Sequence, residues 1–143
     1  MKIIVCLDDQ NGMMFNHRRQ SQDRMVKEDI LHLPLPIVMN TYSYKMFEKE
    51  AFAKTIIVND DLPVLKEACY QFIEDLDVKP YEDQITEIIV YSWNRNYPSD
   101  LKWTIDLSDK QWQKISETEF QGSSHDCITK KVYIRNEALT HDV

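Results

Sequence analysis

The chain has 143 residues, of which 43% are apolar and 29% are charged, and its formal net charge is −7. This length predicts one domain, and the composition excludes a collagen, a disulfide scaffold, a low-complexity chain and a membrane-spanning chain. An acidic chain lacks the basic face that nucleic-acid binding requires, so neither a nucleic acid nor a membrane is expected as a partner.

The chain opens with a predicted strand, a polar loop and a helix. Residues 2–7 (KIIVCL) are apolar and β-branched almost throughout, which predicts a strand buried on both faces. Residues 13–22 show no clean periodicity and are interpreted as a loop. Ser21 is expected to cap a helix over about residues 22–33, because the apolar residues of that stretch fall on one face. Pro34 ends this helix.

A second strand and helix follow, and then a third strand. Residues 37–39 (IVM) predict a short strand. Asn40 or Thr41 is expected to cap a helix that continues to about Phe52, and residues 55–58 (TIIV) predict the third strand.

The second half of the chain predicts strands separated by polar turns. Residues 60–69 are ambiguous, because Pro63 could lie in the first turn of a helix, whereas Tyr70, Phe72 and the residues after them could form a strand. Residues 86–93 (TEIIVYSW) form the clearest later strand. The other predicted elements are a helical turn at 80–85, a capped turn at 108–113, two strands at 114–120 and 127–135 joined across residues 122–124, and a flexible tail at 137–143.

This order of elements predicts an α/β fold with a central mixed, mostly parallel sheet, flanking helices and a C-terminal antiparallel hairpin. One domain is expected to span residues 1–136. The acidic segment over residues 60–87 is either a solvated face or a surface for a basic partner.

The three cysteines, Cys6, Cys69 and Cys127, are odd in number and far apart in the sequence. They form no Cys-x-x-Cys pair, so buried reduced thiols are expected rather than a zinc knuckle or a redox dithiol. The apolar run near the N-terminus is too short for a signal-peptide core, which predicts a cytoplasmic protein. No metal ion is expected.

The polar loop after the first strand is the main candidate for a binding site. Ligands bind at the carboxyl ends of strands in open α/β sheets, and arginines there bind carboxylates or phosphates with two hydrogen bonds. A loop whose polar groups only cap the helix and pair with one another is the alternative. The candidate ligand-binding residues of this loop are Asp9, Asn11, Asn16, Arg18, Arg19, Gln20 and Ser21.

A second polar patch, residues 122–126 (GSSHD), lies in the predicted hairpin loop and is expected to approach residues 16–19. A histidine beside hydroxyls and a carboxylate is suited to acid–base catalysis. His125 is therefore a candidate catalytic residue, and Ser123 and Ser124 are candidate ligand-binding residues. A Ser-His-Asp triad within this patch is disfavoured, because residues adjacent in sequence rarely point together. A polar hairpin tip without function is the alternative.

Tyr91 and Trp93 fall on one face of the strand predicted over residues 86–93. Such a face can form the floor of a pocket that stacks a planar ligand, so Trp93 is a candidate ligand-binding residue. Core packing is the alternative, and it is the expectation for Trp103 and Trp112.

The order and spacing of the segments resemble dihydrofolate reductase from end to end. IIVCLDDQNGMMFNHRRQSQDRMV resembles that family's first strand, long mobile loop and following helix. PIVMNTYSYKMFE resembles a later strand and helix, and DLSDKQWQKISETEFQGSSHDCITKKVYIR resembles the closing turn, strand, hairpin loop and last strand. The resemblance implies the family's fold. It also implies that Asp23 matches, with one gap, the acid that binds the pterin, which makes Asp23 a candidate catalytic residue.

The cofactor-binding motifs of that family are missing. Dihydrofolate reductases hold the NADPH phosphate with a Gly-Arg-[His/Lys/Ser]-Thr turn, and the corresponding residues 40–43 are NTYS. The family's Gly-Gly pair also has no counterpart, because Gly12 and Gly122 are the chain's two glycines and neither stands at that place. We therefore expect no cofactor and no active dihydrofolate reductase.

Sequences of this type are sometimes named ribonuclease Z, a family that resembles metallo-β-lactamases. Such enzymes hold two zinc ions with ligands at short spacing, as in His-x-His-x-Asp-His. The four histidines here, His17, His32, His125 and His141, are far apart, so the residues argue against this name.

The sequence therefore predicts a binding or regulatory protein on a dihydrofolate reductase-like scaffold. A small anionic or planar ligand, or a protein partner, would be held by the two polar loops. The alternative is an enzyme, either a divergent pterin or NADPH reductase or a hydrolase that lacks the ribonuclease Z metal motif. A homo-oligomer is also compatible with the sequence.

Overall fold

The computed structural model describes residues 1–50 and 56–136, and its main element is a seven-stranded sheet. The strands are β1 (Lys2–Leu7), β2 (Gly12–Phe15), β3 (Arg18–Arg19), β4 (Ile37–Met39), β5 (Ile56–Val58), β6 (Tyr70–Phe72), β7 (Glu87–Ser92), β8 (Leu101–Lys102), β9 (Trp112–Phe120) and β10 (Ile128–Arg135). The helices are α1 (Arg24–Leu31), α2 (Thr41–Phe47) and a 3₁₀ helix (Lys79–Gln84).

The large sheet has the order β5-β4-β6-β1-β7-β10-β9. The first five strands of this order run parallel, and β10 and β9 pair antiparallel at one edge. In the register at the centre of the sheet, Ile3 lies between Gln71 and Ile88. The predicted mixed, mostly parallel sheet with a C-terminal hairpin is therefore confirmed.

Strand β1 is apolar along its length because it contributes to a core on each face of the sheet. Alternate residues of a strand point to opposite faces. Ile3 and Val5 pack into one cluster with Trp103 and Trp112, so the prediction that these two tryptophans are core residues is confirmed. Ile4 packs into the other cluster, between the sheet and helix α1.

The prediction of a loop over residues 13–22 is wrong for residues 13–15 and 18–19, which are strands. Strands β2 and β3 form a hairpin, and β2 also pairs with β8 in a separate three-stranded sheet. Asn16 and His17 connect the hairpin, and both have positive φ, 52° and 60°. Two consecutive left-handed residues are typical of a type I′ turn, which usually carries glycine at its second position. Because His17 stands there, this turn has no clear signal in the sequence.

Helix α1 is capped by Asp23 rather than by Ser21, which corrects the predicted start. The Asp23 carboxylate accepts a hydrogen bond from the Met25 N–H, as an N-cap residue does. The predicted end of the second helix at Phe52 and the predicted tail at 137–143 lie outside the described residues. Among the described residues, no helix is long and apolar enough to cross a membrane.

Candidate functional site

Two loops meet at the start of helix α1. Residues 20–23 lead into the helix, and residues 121–127 connect β9 to β10. Because Thr129 of β10 pairs with Ser92 of β7, the hairpin loop is placed beside the residues that follow β7. This arrangement brings polar groups from three parts of the chain to one corner of the sheet.

The Asp23 carboxylate is the centre of this corner and is only 2% exposed. It accepts hydrogen bonds from the N–H groups of Met25, Ser123 and Ser124 and from Nδ1 of His125, each at 2.9 Å. Burial opposes ionisation of Asp23, but the hydrogen bonds from Ser123, Ser124, His125 and Met25 outweigh it and hold the pKa well below its ordinary value. Asp23 is therefore an anion that holds the hairpin loop against the helix.

Gly122 allows this close approach. A Cβ atom at position 122 would lie 2.4 Å from Oδ2 of Asp23 and 2.8 Å from the carbonyl oxygen of His125. Those distances are too short for any side chain, so glycine is required by packing.

The His125 imidazole is 4% exposed and lies between an acid and two hydroxyl groups. Its Nδ1 faces Asp23, while its Nε2 lies 3.0 Å from Oγ of Ser21 and 3.1 Å from the hydroxyl of Tyr97. The ring stacks on Trp93 with a centroid distance of 4.8 Å and an interplanar angle of 22°. The carboxylate and the indole thus fix the imidazole in a single orientation.

A second buried carboxylate, Asp8, lies at the end of β1. It accepts hydrogen bonds from the N–H groups of Gln10, Gly12 and Tyr97 and from the side-chain amide of Gln20. Burial opposes its ionisation, but these hydrogen bonds lower its pKa below the ordinary value. Asp8 thereby ties the loop after β1 to the loop after β7.

A third buried carboxylate, Glu74, lies just beyond the end of β6. Arg19 binds both of its oxygens, at 2.9 and 3.1 Å, and Oγ of Ser43 donates to it at 2.7 Å. The Arg19 guanidinium also covers the ring of Tyr42, 4.5 Å from its centroid. The charge of Arg19 is therefore neutralised within the protein.

A cavity of about 520 Å³ opens beside the His125 cluster. Arg18 is exposed in it, and the structure gives the Arg18 guanidinium no ion pair or hydrogen bond among the described residues. The cavity is lined by Phe15, Asn16, Arg18, Arg19, Gln20, Tyr97 and Pro98.

A second cavity, of about 610 Å³, lies on the other side of the β2–β3 hairpin. Its walls are Met14, His17, Tyr42, Asp75, Asp100 and Leu101. Its two carboxylates give it the opposite charge to the Arg18 cavity.

Most hydrogen-bond donors at the start of α2 are already bound within the protein and are not open to a ligand. The Thr41 N–H and hydroxyl both donate to Asp60, and the Ser43 N–H donates to the side chain of Asn40. The carboxylates of Glu74 and Asp75 follow the neighbouring strand β6. Negative charge and occupied N–H groups thus surround this helix start.

The structure brings most of the predicted site residues together, in two adjoining groups. The first group lines the Arg18 cavity and consists of Asn16, Arg18, Arg19 and Gln20. One member of the first group, Arg19, lines the cavity although its guanidinium is paired with Glu74. The second group surrounds His125 and consists of Ser21, Asp23, Trp93, Ser123 and Ser124.

Two predicted residues lie outside both groups. Asp9 is exposed, and its N–H donates to the carbonyl of Arg95. Asn11 occupies a left-handed turn position with φ 62°, where its backbone binds Asp8 and Trp103. Asn11 instead lines a separate cavity of about 260 Å³ with Asp8 and Trp103.

The position predicted for His125 also differs in detail, since its ring contacts Ser21 and Tyr97 rather than residues 16–19. Tyr97 lies in the aromatic and polar stretch that contains Trp93, but it was not predicted as a site residue, because it follows β7 by five residues. The rule applied to β1, that polar residues after a strand face the ligand edge, would have found both Tyr97 and Glu74.

No group of three or more histidine, cysteine, aspartate or glutamate side chains is arranged to hold a metal ion within residues 1–50 and 56–136.

No protein-family model matches the chain, and no curated protein matches it significantly. Solved structures do match. Dihydrofolate reductase from Enterococcus faecalis, in complex with NADP(H) and RAB-propyl, superimposes with a TM-score of 0.61 over 94% of this chain and 95% of that chain, at 11% identity. This similarity defines the fold, and the chain has a dihydrofolate reductase-like α/β fold.

Proposed function

We propose that this chain is a binding protein for a small planar anion, built on the dihydrofolate reductase-like scaffold. The exposed guanidinium of Arg18 in the 520 Å³ cavity is the observation that carries the proposal. Arg19, its neighbour, is neutralised by Glu74, which leaves Arg18 as the cation offered to a ligand by the described lining residues. A guanidinium binds a carboxylate or phosphate with two parallel hydrogen bonds.

The remaining lining residues favour a planar ligand. Phe15 is 42% exposed, although its side chain is large and apolar, and Tyr97 adds a second aromatic wall. The amide nitrogen of Gln20 donates to Asp8 and to the carbonyl of Pro98, which fixes the orientation of this wall of the cavity.

The residues around α2 do not fit the dinucleotide that a dihydrofolate reductase-like fold suggests. A pyrophosphate needs free N–H groups and positive charge. Here Asp60 and Asn40 occupy N–H groups at the helix start, and Glu74 and Asp75 stand beside it. We therefore derive no hydride transfer for this chain.

The test is a thermal-shift and calorimetry series with AMP, folate, salicylate, NADPH and inorganic phosphate. A ligand at 100 times its Kd stabilises a protein by about 2.7 kcal/mol. We expect at least one planar anion to raise Tm by several degrees and phosphate to have little effect. The proposal would be contradicted if none of the four planar anions raised Tm at millimolar concentration.

Two variants locate the site. Arg18→Gln should abolish the rise in Tm with the planar anion. Arg24→Gln removes the same charge at an exposed position outside the cavity and should leave that rise unchanged. Stabilisation by NADPH that is equal in the wild type and in Arg18→Gln would favour the alternative, a divergent reductase.

A further inference from the structure

Three side chains at the start of α1 form a continuous chain of hydrogen bonds from a buried acid to a hydroxyl. Asp23 Oδ2 lies 2.9 Å from Nδ1 of His125, and Nε2 of the same ring lies 3.0 Å from Oγ of Ser21. We propose that Ser21 is a nucleophile, with His125 as its general base and Asp23 as the group that orients the base, and that the chain hydrolyses small esters.

The proton positions follow from Asp23. An ionised carboxylate only accepts hydrogen bonds, so Nδ1 of His125 carries the proton. In the neutral imidazole Nε2 is then an acceptor, and the Ser21 hydroxyl donates to it. This is the arrangement in which an imidazole removes a proton from serine during attack.

The three residues come from two distant parts of the chain, and neighbouring residues hold their side chains in position. Trp93 stacks on the imidazole, and Gly122 allows the loop to reach Asp23. Ser21 is half-buried rather than part of the core. A catalytic group must be held in a fixed geometry in this way for its attack to be efficient.

A donor for the developing oxyanion lies next to the nucleophile. The structure gives the N–H of Gln22 no acceptor among the described residues. The N–H that follows a nucleophilic serine is a common member of an oxyanion hole. The hydroxyl of Tyr97, which also faces Nε2 at 3.1 Å, is placed to donate to the alcohol that leaves.

The reaction balances without a further reagent. Ser21 Oγ forms a bond to the ester carbonyl carbon while its proton passes to Nε2 of His125. The bond from that carbon to the alkoxy oxygen breaks, and His125 returns the proton to the departing alcohol. Water then loses a proton to His125, attacks the acyl-serine and releases the acid, and the proton returns to Ser21.

The choice of ester rests on the proposed function. Tyr97 lines the Arg18 cavity and also contacts His125, and Gln20, another lining residue, directly precedes Ser21 in the chain. An acyl group that carries a carboxylate would be held by Arg18. The nucleophile itself does not depend on this preference.

The first experiment treats the full chain with a fluorophosphonate probe and identifies the modified residue by mass spectrometry. We expect labelling at Ser21 and hydrolysis of p-nitrophenyl acetate. The reaction should be about 100-fold slower in His125→Gln and in Asp23→Asn, and absent in Ser21→Ala. Ser116→Ala, on β9, is the matched control and should react as the wild type does.

Labelling of the wild type at Ser123 or Ser124 instead of Ser21, or the absence of labelling in folded wild type, would overturn the proposal. The labelled peptide comes from the wild type, so the result stands even where a variant does not fold. Equal ester hydrolysis by Ser21→Ala and wild type would also overturn it.

A second substrate separates this proposal from the proposed function. If Arg18 holds anions, p-nitrophenyl hemisuccinate should be cleaved about tenfold faster than the acetate, and Arg18→Gln should remove the difference. Labelling of Ser21 without that preference would support the nucleophile and contradict the anion site.

Discussion

Asp8 and Asp23 are two buried carboxylates in one protein, and comparing them shows what separates a structural acid from a candidate catalytic one. Each accepts several hydrogen bonds, each has a lowered pKa, and each lies against one of the chain's two glycines. A Cβ at Gly12 would lie 2.9 Å from Oδ1 of Asp8, as a Cβ at Gly122 would lie 2.4 Å from Oδ2 of Asp23.

The difference lies in the donors. The donors to Asp8 are backbone N–H groups and the amide of Gln20, none of which gains or loses a proton near neutral pH. Asp23 is also bound by the imidazole of His125, which passes the hydrogen-bond chain on to the hydroxyl of Ser21. A buried carboxylate can support proton transfer only if such a titratable group connects it to the surface.

The largest effect is expected for Asp23→Ala. The substitution leaves the N–H groups of Ser123 and Ser124 and the His125 ring without their acceptor in a buried site. We expect the free energy of unfolding, measured by urea denaturation, to fall by about 4 kcal/mol. Asp126→Ala, an exposed carboxylate in the same loop, should change it by less than about 0.5 kcal/mol. Equal losses in the two variants would contradict the central role given to Asp23.

Glu74 adds a third buried carboxylate to the comparison, and its partner, Arg19, carries a permanent charge. Glu74→Ala leaves the partly buried guanidinium of Arg19 without a carboxylate and should cost about 3 kcal/mol. The double variant Arg19→Met/Glu74→Leu should recover much of that loss, since replacement of a whole buried ion pair by apolar residues is often neutral. A loss in the double variant at least as large as that in Glu74→Ala would show that the ion pair stabilises the fold more than apolar packing does.

The two glycines test the two carboxylates separately. Gly122→Ala and Gly12→Ala should each lower the free energy of unfolding by about 2 kcal/mol. The added methyl group would press on Asp23 and the His125 carbonyl oxygen in Gly122→Ala, and on the Gln20 amide, Ser99 and Asp8 in Gly12→Ala. Fluorophosphonate labelling should fall in Gly122→Ala only. Gln121→Ala, at an exposed neighbouring position, is the control for the loop. Loss of labelling in Gly12→Ala as well would break the proposed separation of the two clusters.

The smallest effect is on the pH dependence of stability. The folded pKa of Asp23 lies below its ordinary value of 3.8, so its contribution is fully present above that value and is lost as the pH falls toward the folded pKa. Between pH 5 and pH 3, Asp23→Asn should therefore lose about 1 kcal/mol less stability than the wild type. Urea denaturation at several pH values measures this, with Asp126→Asn as the control. Parallel curves for Asp23→Asn and wild type would contradict the lowered pKa.

Much of the sheet was predictable because its strands are buried on both faces. The unbroken apolar runs of β1 and β7 admit few other interpretations. The β2–β3 hairpin was not predictable, because its turn uses Asn16 and His17 in a left-handed conformation and carries no glycine. Short polar strands such as β3 and β8 form only because a neighbouring strand supplies their hydrogen bonds.

The order of the elements and the two polar loops were predictable from the sequence, because local pattern and composition report burial and turns. His125 was a candidate from its place in one of those loops, and Asp23 from the resemblance to dihydrofolate reductase. The contacts between the loops depend on the tertiary structure, in which Ser21, rather than Ser123 or Ser124, faces Nε2 of His125, and Arg19, rather than Arg18, is paired with Glu74. These assignments depend on distances between residues about 50 to 100 positions apart in the chain. A local sequence pattern cannot predict those distances, because they are set when the packing of the sheet brings the loops together.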